Sequence, residues 1–223
     1  MPTSTVEDYL KTILLEESTL AGERVPMGQI ASALRVAPGT VTAMMRALSD
    51  GGLVDYEPRG GVRLTSAGRQ LATHVLRRHR LIELFLVQAV GLDWSEVHDE
   101  AELLEHAVSE RVIERIDELL GHPSVDPHGD PIPSRSGVVE IRERPSLVDC
   151  AVGAPQRVVR VTDQAAEFLR LVERSRLMPG SRVTVASRDA AADTVALELD
   201  GGAALSLGHR AASKILVEPV RKR

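Results

Sequence analysis

Pro38 constrains this chain more than any other residue. It follows the amphipathic run Met27–Leu34, in which Ile30, Ala31 and Leu34 fall on one face, and it precedes a second run carrying Val41, Met44, Met45 and Leu48. Proline is tolerated in the first turn of a helix and breaks a helix interior, so no single helix can run through this stretch. Two helices must be separated by the turn Arg35-Val36-Ala37, and the second must stop at Gly51-Gly52. Beyond it, Leu53–Glu57 and Val62–Thr65 alternate around Pro58-Arg59-Gly60-Gly61, the pattern of a β-hairpin. An earlier amphipathic helix spans Val6–Leu20, with Leu10, Ile13 and Leu14 inward, and ends at Ala21-Gly22-Glu23. Helix, short turn, helix and hairpin together predict a winged helix-turn-helix.

That element reads double-stranded DNA if its second helix enters a major groove. Ala37, Pro38, Gly39 and Thr40 are small enough for close backbone approach. Thr40 and Thr42 can meet phosphates or a thymine methyl group, Arg46 lies further along, and Arg59 and Arg63 sit on the wing as phosphate contacts. The alternative is a helical hairpin used only for packing. The reader helix carries no Gln or Asn, so van der Waals contact and DNA shape must supply much of any specificity. Charge does not make the case: the net charge is −5, and residues 1–64 hold six basic and eight acidic groups. Five aromatic residues, Tyr9, Tyr56, Phe85, Trp94 and Phe168, are too few for a base-stacking platform.

Downstream, a long helix begins near Thr65-Ser66-Ala67-Gly68 and runs through Ala89, and another covers Asp93 to Leu120. Residues 92–120 carry two basic and ten acidic groups, and six of the seven histidines lie between residues 74 and 128. On a continuous helix His98, Glu102, Glu105 and His106 fall within an arc of about 100°. His79 and Glu83 form a further i, i+4 pair on the preceding helix. Imidazole with carboxylates suits a divalent transition metal; a solvated acidic face with incidental histidines is the plain alternative. His74, His122 and His209 read as ordinary residues.

The chain is not read as an enzyme. It has no H-E-x-x-H, no G-x-S-x-G and no Gly-rich phosphate loop. Its one cysteine, Cys150, excludes an intrachain disulfide and a multi-cysteine metal site, which fits a reducing cytoplasm. The N-terminus, Met1 to Asp8, shows no basic or apolar targeting pattern, and Leu81–Leu92 is too short and too polar to span a bilayer.

Residues 121–148 contain Gly121, Pro123, Pro127, Gly129, Pro131, Pro133, Gly137 and Pro145, which marks a linker. Past it, Gln156–Val161, Arg182–Ser187, Val195–Leu199 and Ala203–Leu207 read as strands and Ala165–Arg174 as a helix. The expected fold is mostly α with a small barrel-like β-rich tail. Its expected domains are a winged helix-turn-helix over 1–65, a helical metal-binding and dimerisation domain over 66–140, and a C-terminal domain over 149–223.

Specific stretches carry a resemblance. They are V-E-D-Y-L-K-T-I, A-P-G-T-V-T-A-M-M-R-A-L, R-L-T-S-A-G-R-Q-L-A, R-R-H-R-L-I-E-L-F-L, V-H-D-E-A-E-L-L-E-H and P-H-G-D-P-I-P. Together they resemble the diphtheria toxin repressor family of metal-dependent regulators, in its manganese-responsive, manganese transport regulator-like branch. The tail then resembles a Src-homology-three domain. The resemblance implies a primary metal site of Asp8, Glu102, Glu105 and His106 and another of His79, Glu83 and His98. It offers Asp163, with Gln164 beside it, and the linker residues Asp126 and His128 as further ligands. Asp8 and Glu102 stand where iron-responsive members look to have Met and Cys, and oxygen donors with imidazole suit Mn2+. Fe2+ is the alternative, and Zn2+ or Co2+ could substitute in vitro. Lys11 stands where some manganese members carry a second carboxylate, which argues against two closely spaced ions. The implied function is a cytoplasmic homodimeric repressor of metal-uptake and homeostasis genes that binds palindromic operators when loaded. Its dimer interface draws on Leu81, Leu84, Leu86, Val108, Val112, Ile116 and Leu119, and it has no membrane partner or small-molecule substrate. The rival reading is a winged-helix regulator gated by an organic ligand or by oxidation of Cys150.

Overall fold

The Thr3 side chain accepts a hydrogen bond from the Val6 amide at 3.4 Å and caps α1 (Ser4–Glu17). The structure is a computed structural model and describes residues 3–20, 22–139 and 142–220. α1 closes at Glu17, short of the expected Leu20, because the Ser18 and Thr19 hydroxyls bond back to the Leu15 and Glu16 carbonyls. Met1 and Pro2 of the targeting argument, and Ala21 of the expected helix stop, lie outside the described residues.

α2 (Met27–Leu34) ends on Arg35, whose φ of 53° turns the chain, and α3 (Pro38–Asp50) starts on its proline. β1 (Val54–Glu57) and β2 (Gly61–Leu64) pair antiparallel with Val54 opposite Leu64, and Val25 adds a bridge to Val62. The winged helix-turn-helix is therefore present. One core holds it: Tyr9, Leu10 and Ile13 of α1 pack with Ile30, Val41, Met45, Leu48, Val54 and Val62.

α4 (Ser66–Phe85) begins against this core. A Cβ on Gly68 would lie 1.9 Å from the Leu53 carbonyl oxygen, a backbone atom that accepts the Thr65 amide. Gly68→Ala is expected to destabilise the protein by about 1–3 kcal/mol, the scale of overpacking. Thermal unfolding checks this, and an unchanged midpoint would show that α4 can shift.

The chain divides into two compact units within α4. The first comprises residues 1–79, 105–108 and 133–138, and the second comprises 80–104, 109–132 and 139–223. In the second unit α4 gives way to a π-helical turn, Leu86–Val90, closed by Gly91. The single helix expected over Asp93–Leu120 is two, α5 (Val97–Leu104) and α6 (Glu110–Leu119). The reason is tertiary. The Glu105 carboxylate is fully buried and has to find partners, so the backbone leaves the helix there and residues 105–108 join the first unit.

Part of the expected linker is folded. Val125 bridges Pro131, and Asp126 Oδ1 accepts hydrogen bonds from the His128 and Asp130 amides at 2.8 and 2.9 Å, which ties a tight turn. Gly129 is required in it, since its φ is 88° and a Cβ would stand 2.0 Å from the Val159 oxygen. Glu140, the last residue of the expected second domain, lies with Ile141 outside the described residues.

The tail holds β3 (Pro155–Val161), α7 (Ala166–Arg174), β4 (Arg182–Asp189), β5 (Thr194–Leu199), β6 (Ala204–Gly208), α8 (His209–Ala212) and β7 (Ile215–Pro219). Its five strands form one antiparallel sheet in the order β6-β5-β4-β3-β7 over a core that includes Leu147, Leu169, Leu177, Val185 and Ile215. The expected barrel is thus an open sheet among the described residues: β6 and β7 end the order and do not pair with each other. β7 was not anticipated; it pairs with β3 as an outer strand. Among the described residues no helix is long and apolar enough to cross a membrane.

Candidate metal centre

In the first unit, the buried face of α1 and the turn after α5 converge. His106 Nε2 lies 2.8 Å from Asp8 Oδ1 and 3.5 Å from Glu105 Oε1. Ligand-type atoms of Asp8, Glu105 and His106 all lie within 4.8 Å of one another. Glu105 also receives Lys11 Nζ on Oε1 at 2.7 Å and faces His79 Nδ1 with Oε2 at 2.6 Å. Two carboxylates and an imidazole in a half-buried pocket form a donor set that fits a divalent cation. The Lys11 ammonium already supplies one positive charge to Glu105.

The second unit holds another cluster. His98 Nδ1 lies 3.2 Å from Glu83 Oε1 and its Nε2 3.7 Å from Glu102 Oε1. Glu83, Asp126 and His128 are all buried, with ligand atoms within 4.8 Å of one another. Asp126 Oδ2 and His128 Nδ1 have no hydrogen-bond partner there. The outer nitrogen of His128, Nε2, is fixed 2.9 Å from the Trp94 carbonyl, and its ring stacks on Trp94. Burial pushes the Asp126 carboxyl well above the usual carboxylate range. The negative charges of Asp130 and Glu83 add to that effect, and Arg80, 3.7 Å away, opposes it. Asp126 Oδ2 and His128 Nδ1 are buried without a hydrogen bond and are atoms that can ligate a cation, so these residues also fit a metal.

Asp163 is placed differently. Its Oδ1 accepts the Ala165 amide at 2.9 Å and its Oδ2 pairs with Lys214. Burial raises its carboxyl, but Lys214 and the Ala165 amide outweigh that and hold it below its ordinary value. It joins none of the ligand groups found among the described residues. Gln164 donates to Asp130 at 2.7 Å. His122 pairs with Asp117 at the surface, as an ordinary histidine does.

Comparison with known proteins matches three family models along this chain. They are "Iron dependent repressor, N-terminal DNA binding domain" over residues 1–62, "Iron dependent repressor, metal binding and dimerisation domain" over 65–134, and "FeoA domain" over 146–219. The chain belongs to the iron-dependent repressor family. It is 33% identical to the iron-dependent repressor IdeR of Mycobacterium leprae over 97% of both chains. It is 33% identical to the diphtheria toxin repressor of Corynebacterium diphtheriae over 83% of this chain and 85% of that one. A solved manganese-dependent transcriptional repressor in complex with manganese superposes with a TM-score of 0.85 at 38% identity, covering 96% of this chain and all of that one. Iron- and manganese-dependent transcriptional repressors make up the family, and metal dependence is its common property.

In this repressor-family chain the expected DNA-reading residues stand on the winged element. Ala37 occupies the N-cap of α3, Pro38, Gly39 and Thr40 form its first turn, and Thr40 and Arg46 are exposed. Thr42 returns its hydroxyl to the Pro38 carbonyl at 3.0 Å. Arg59 is exposed at the hairpin tip with a φ of 67°, whereas Arg63 donates to the Gly22 carbonyl at 2.5 Å. Of the apolar residues assigned to dimerisation, Leu81, Leu84 and Leu86 are buried within the chain, while Val112 and Leu119 are exposed on α6. The charged neighbours Glu7, Arg78, Arg80 and Asp130 were missed in the sequence. An acid in a first helical turn reads there as a dipole partner and nothing more.

Proposed function

We propose that this chain is a manganese-responsive repressor in which Asp8, Glu105 and His106 hold the activating ion. The observation that carries this is the meeting of Asp8 and His106 across 98 positions of sequence, on the helix that shares a core with the DNA-reading pair. A divalent cation bound there supplies the charge that ties two carboxylates and an imidazole together. Asp8 fixes the register of α1 against the 105–108 turn. Tyr9 and Leu10, next along α1, pack in one core with Ile30 of α2 and Val41 of α3, so the position of α1 reaches the reader helix through direct packing. The device is a population shift, in which the ion must favour the DNA-competent arrangement over the other.

Oxygen and imidazole donors favour Mn2+ or Fe2+ over softer metals, with Zn2+ or Co2+ as in vitro substitutes. Lys11 beside Glu105 supports one ion at this site, not two. Glu83, Asp126 and His128 form a second site, with His98 beside Glu83 and Glu102 beside His98. His79, with its Nδ1 2.6 Å from Glu105 Oε2, is a further candidate beside the first centre, and Asp163 is a candidate on resemblance alone. The domain limits 1–65, 66–140 and 149–223 are proposed on the same footing. As a homodimer through the exposed apolar residues of α6, the protein would present two readers to a palindromic operator about 34 Å apart, in the cytoplasm and without catalysis. Ala37, Pro38, Gly39, Thr40, Thr42 and Arg46 face the groove in this reading, and Arg59 and Arg63 the phosphates. Redox gating by Cys150 is disfavoured: burial raises its thiol above the ordinary value, Arg188 opposing, and leaves little thiolate to oxidise.

Fluorescence anisotropy of a labelled operator duplex, titrated in parallel with Mn2+, Fe2+ and Zn2+, tests the proposal. Binding should require metal and reverse with chelator. Tight binding by the metal-free protein would refute it.

A further inference from the structure

The structure assigns Glu7, braced by Arg78, as the positioning residue for His106. This rests on the reading of Asp8, Glu105 and His106 as a metal centre. The two ring nitrogens of His106 have different surroundings. Nε2 faces Asp8 at 2.8 Å and Glu105 at 3.5 Å, and is the nitrogen on the ligand side. Nδ1 faces away from them, toward Glu7 Oε2 at 2.7 Å. The other oxygen of Glu7, Oε1, pairs with Arg78 Nη2 at 3.0 Å, and the side chains of both Glu7 and Arg78 are only 13% exposed. A chain of contacts therefore runs from Arg78 through Glu7 to the imidazole.

This chain answers a need created by the fold. His106 lies in the turn between α5 and α6, so no helix fixes its ring. A hydrogen bond from Nδ1–H to a carboxylate selects the tautomer whose Nε2 lone pair faces the ligands, and it sets the ring plane. Both Glu7 oxygens are engaged, which keeps Glu7 outside the ligand set. Because Glu7 and Asp8 are consecutive on α1, one helix turn carries both a ligand and the group that aims another ligand.

Mn2+ and Zn2+ would be titrated calorimetrically, against a competing chelator, into full-length wild type, Glu7→Ala, Glu7→Gln and His106→Ala. The component lost in His106→Ala identifies the site. Glu7→Ala should weaken that component by about 10- to 100-fold. Glu7→Gln should restore part of it, since its amide oxygen can accept the same N–H while its NH2 cannot replace the oxygen that pairs with Arg78. In the diamagnetic Zn2+-loaded wild type, nitrogen-15 spectra should show His106 protonated on Nδ1, with that signal shifted or broadened in Glu7→Ala. If Glu7→Ala binds within twofold of wild type while His106→Ala loses the site, the positioning role is overturned. It is also overturned if Glu7→Gln falls as far as Glu7→Ala. If His106→Ala binds like wild type, the metal-centre reading itself fails, and the positioning role with it.

Discussion

His106→Ala is expected to abolish metal-dependent operator binding and to leave a cooperatively folded protein. The imidazole is the one nitrogen donor in its group, and without it Asp8 and Glu105 alone would face the ion, with Lys11 already on Glu105. Loss of an orienting partner around a metal weakens affinity by about 10- to 100-fold, and loss of a ligand should exceed that. The fold survives because His106 is partly exposed and belongs to neither apolar core. Operator anisotropy with Mn2+, beside a thermal melt, measures both halves. Wild-type Mn2+ dependence in this variant would remove His106 from the centre.

Asp126→Asn is expected to stabilise the metal-free protein at neutral pH and to reduce the stabilisation that metal brings. The sign follows from linkage. The Asp126 carboxyl titrates well above its unfolded value of 3.8 because it is buried beside Asp130 and Glu83. The native state therefore binds the proton more tightly than the unfolded chain. Stability is lost as pH rises from the ordinary carboxylate range through the raised value, and the loss is complete above it. Asparagine keeps the oxygen that accepts the His128 and Asp130 amides and carries no charge to bury. The gain should be about 1–3 kcal/mol, the scale of one unsatisfied buried polar group, with loss of the Arg80 attraction setting the lower end. Melting with chelator and with excess Mn2+ separates the two effects. A variant less stable than wild type in chelator would show that Arg80 outweighs the burial.

Much of the fold was legible because local chemistry and tertiary packing agree there. Pro26 and Pro38 bracket α2, Gly51-Gly52 end α3, and the alternating runs of the tail are strands where they were expected. The break after Leu104 was not legible. Glu105, His106 and Ala107 continue a helical pattern, and only the distant Lys11 and His79 make Glu105 leave it. The turn at Asp126–Asp130 was hidden for the opposite reason: prolines and glycines read as a spacer, yet here they shape a loop that packs on β3. Asp8, Glu105 and His106 could be named from motifs, and their company could not. Glu7 and Arg78 look like surface charges until the turn after α5 is seen beside them.

The interleaving of the two units has a consequence for biosynthesis. The N-terminal unit borrows residues 105–108 and 133–138 from far downstream. A ribosome releases the groove-reading helices long before it releases Glu105 and His106. With the proposed metal centre, a nascent reader that folds before residues 105–108 emerge would do so without its cation, and a fragment truncated after the hairpin would carry a reader lacking Glu105 and His106 to switch it.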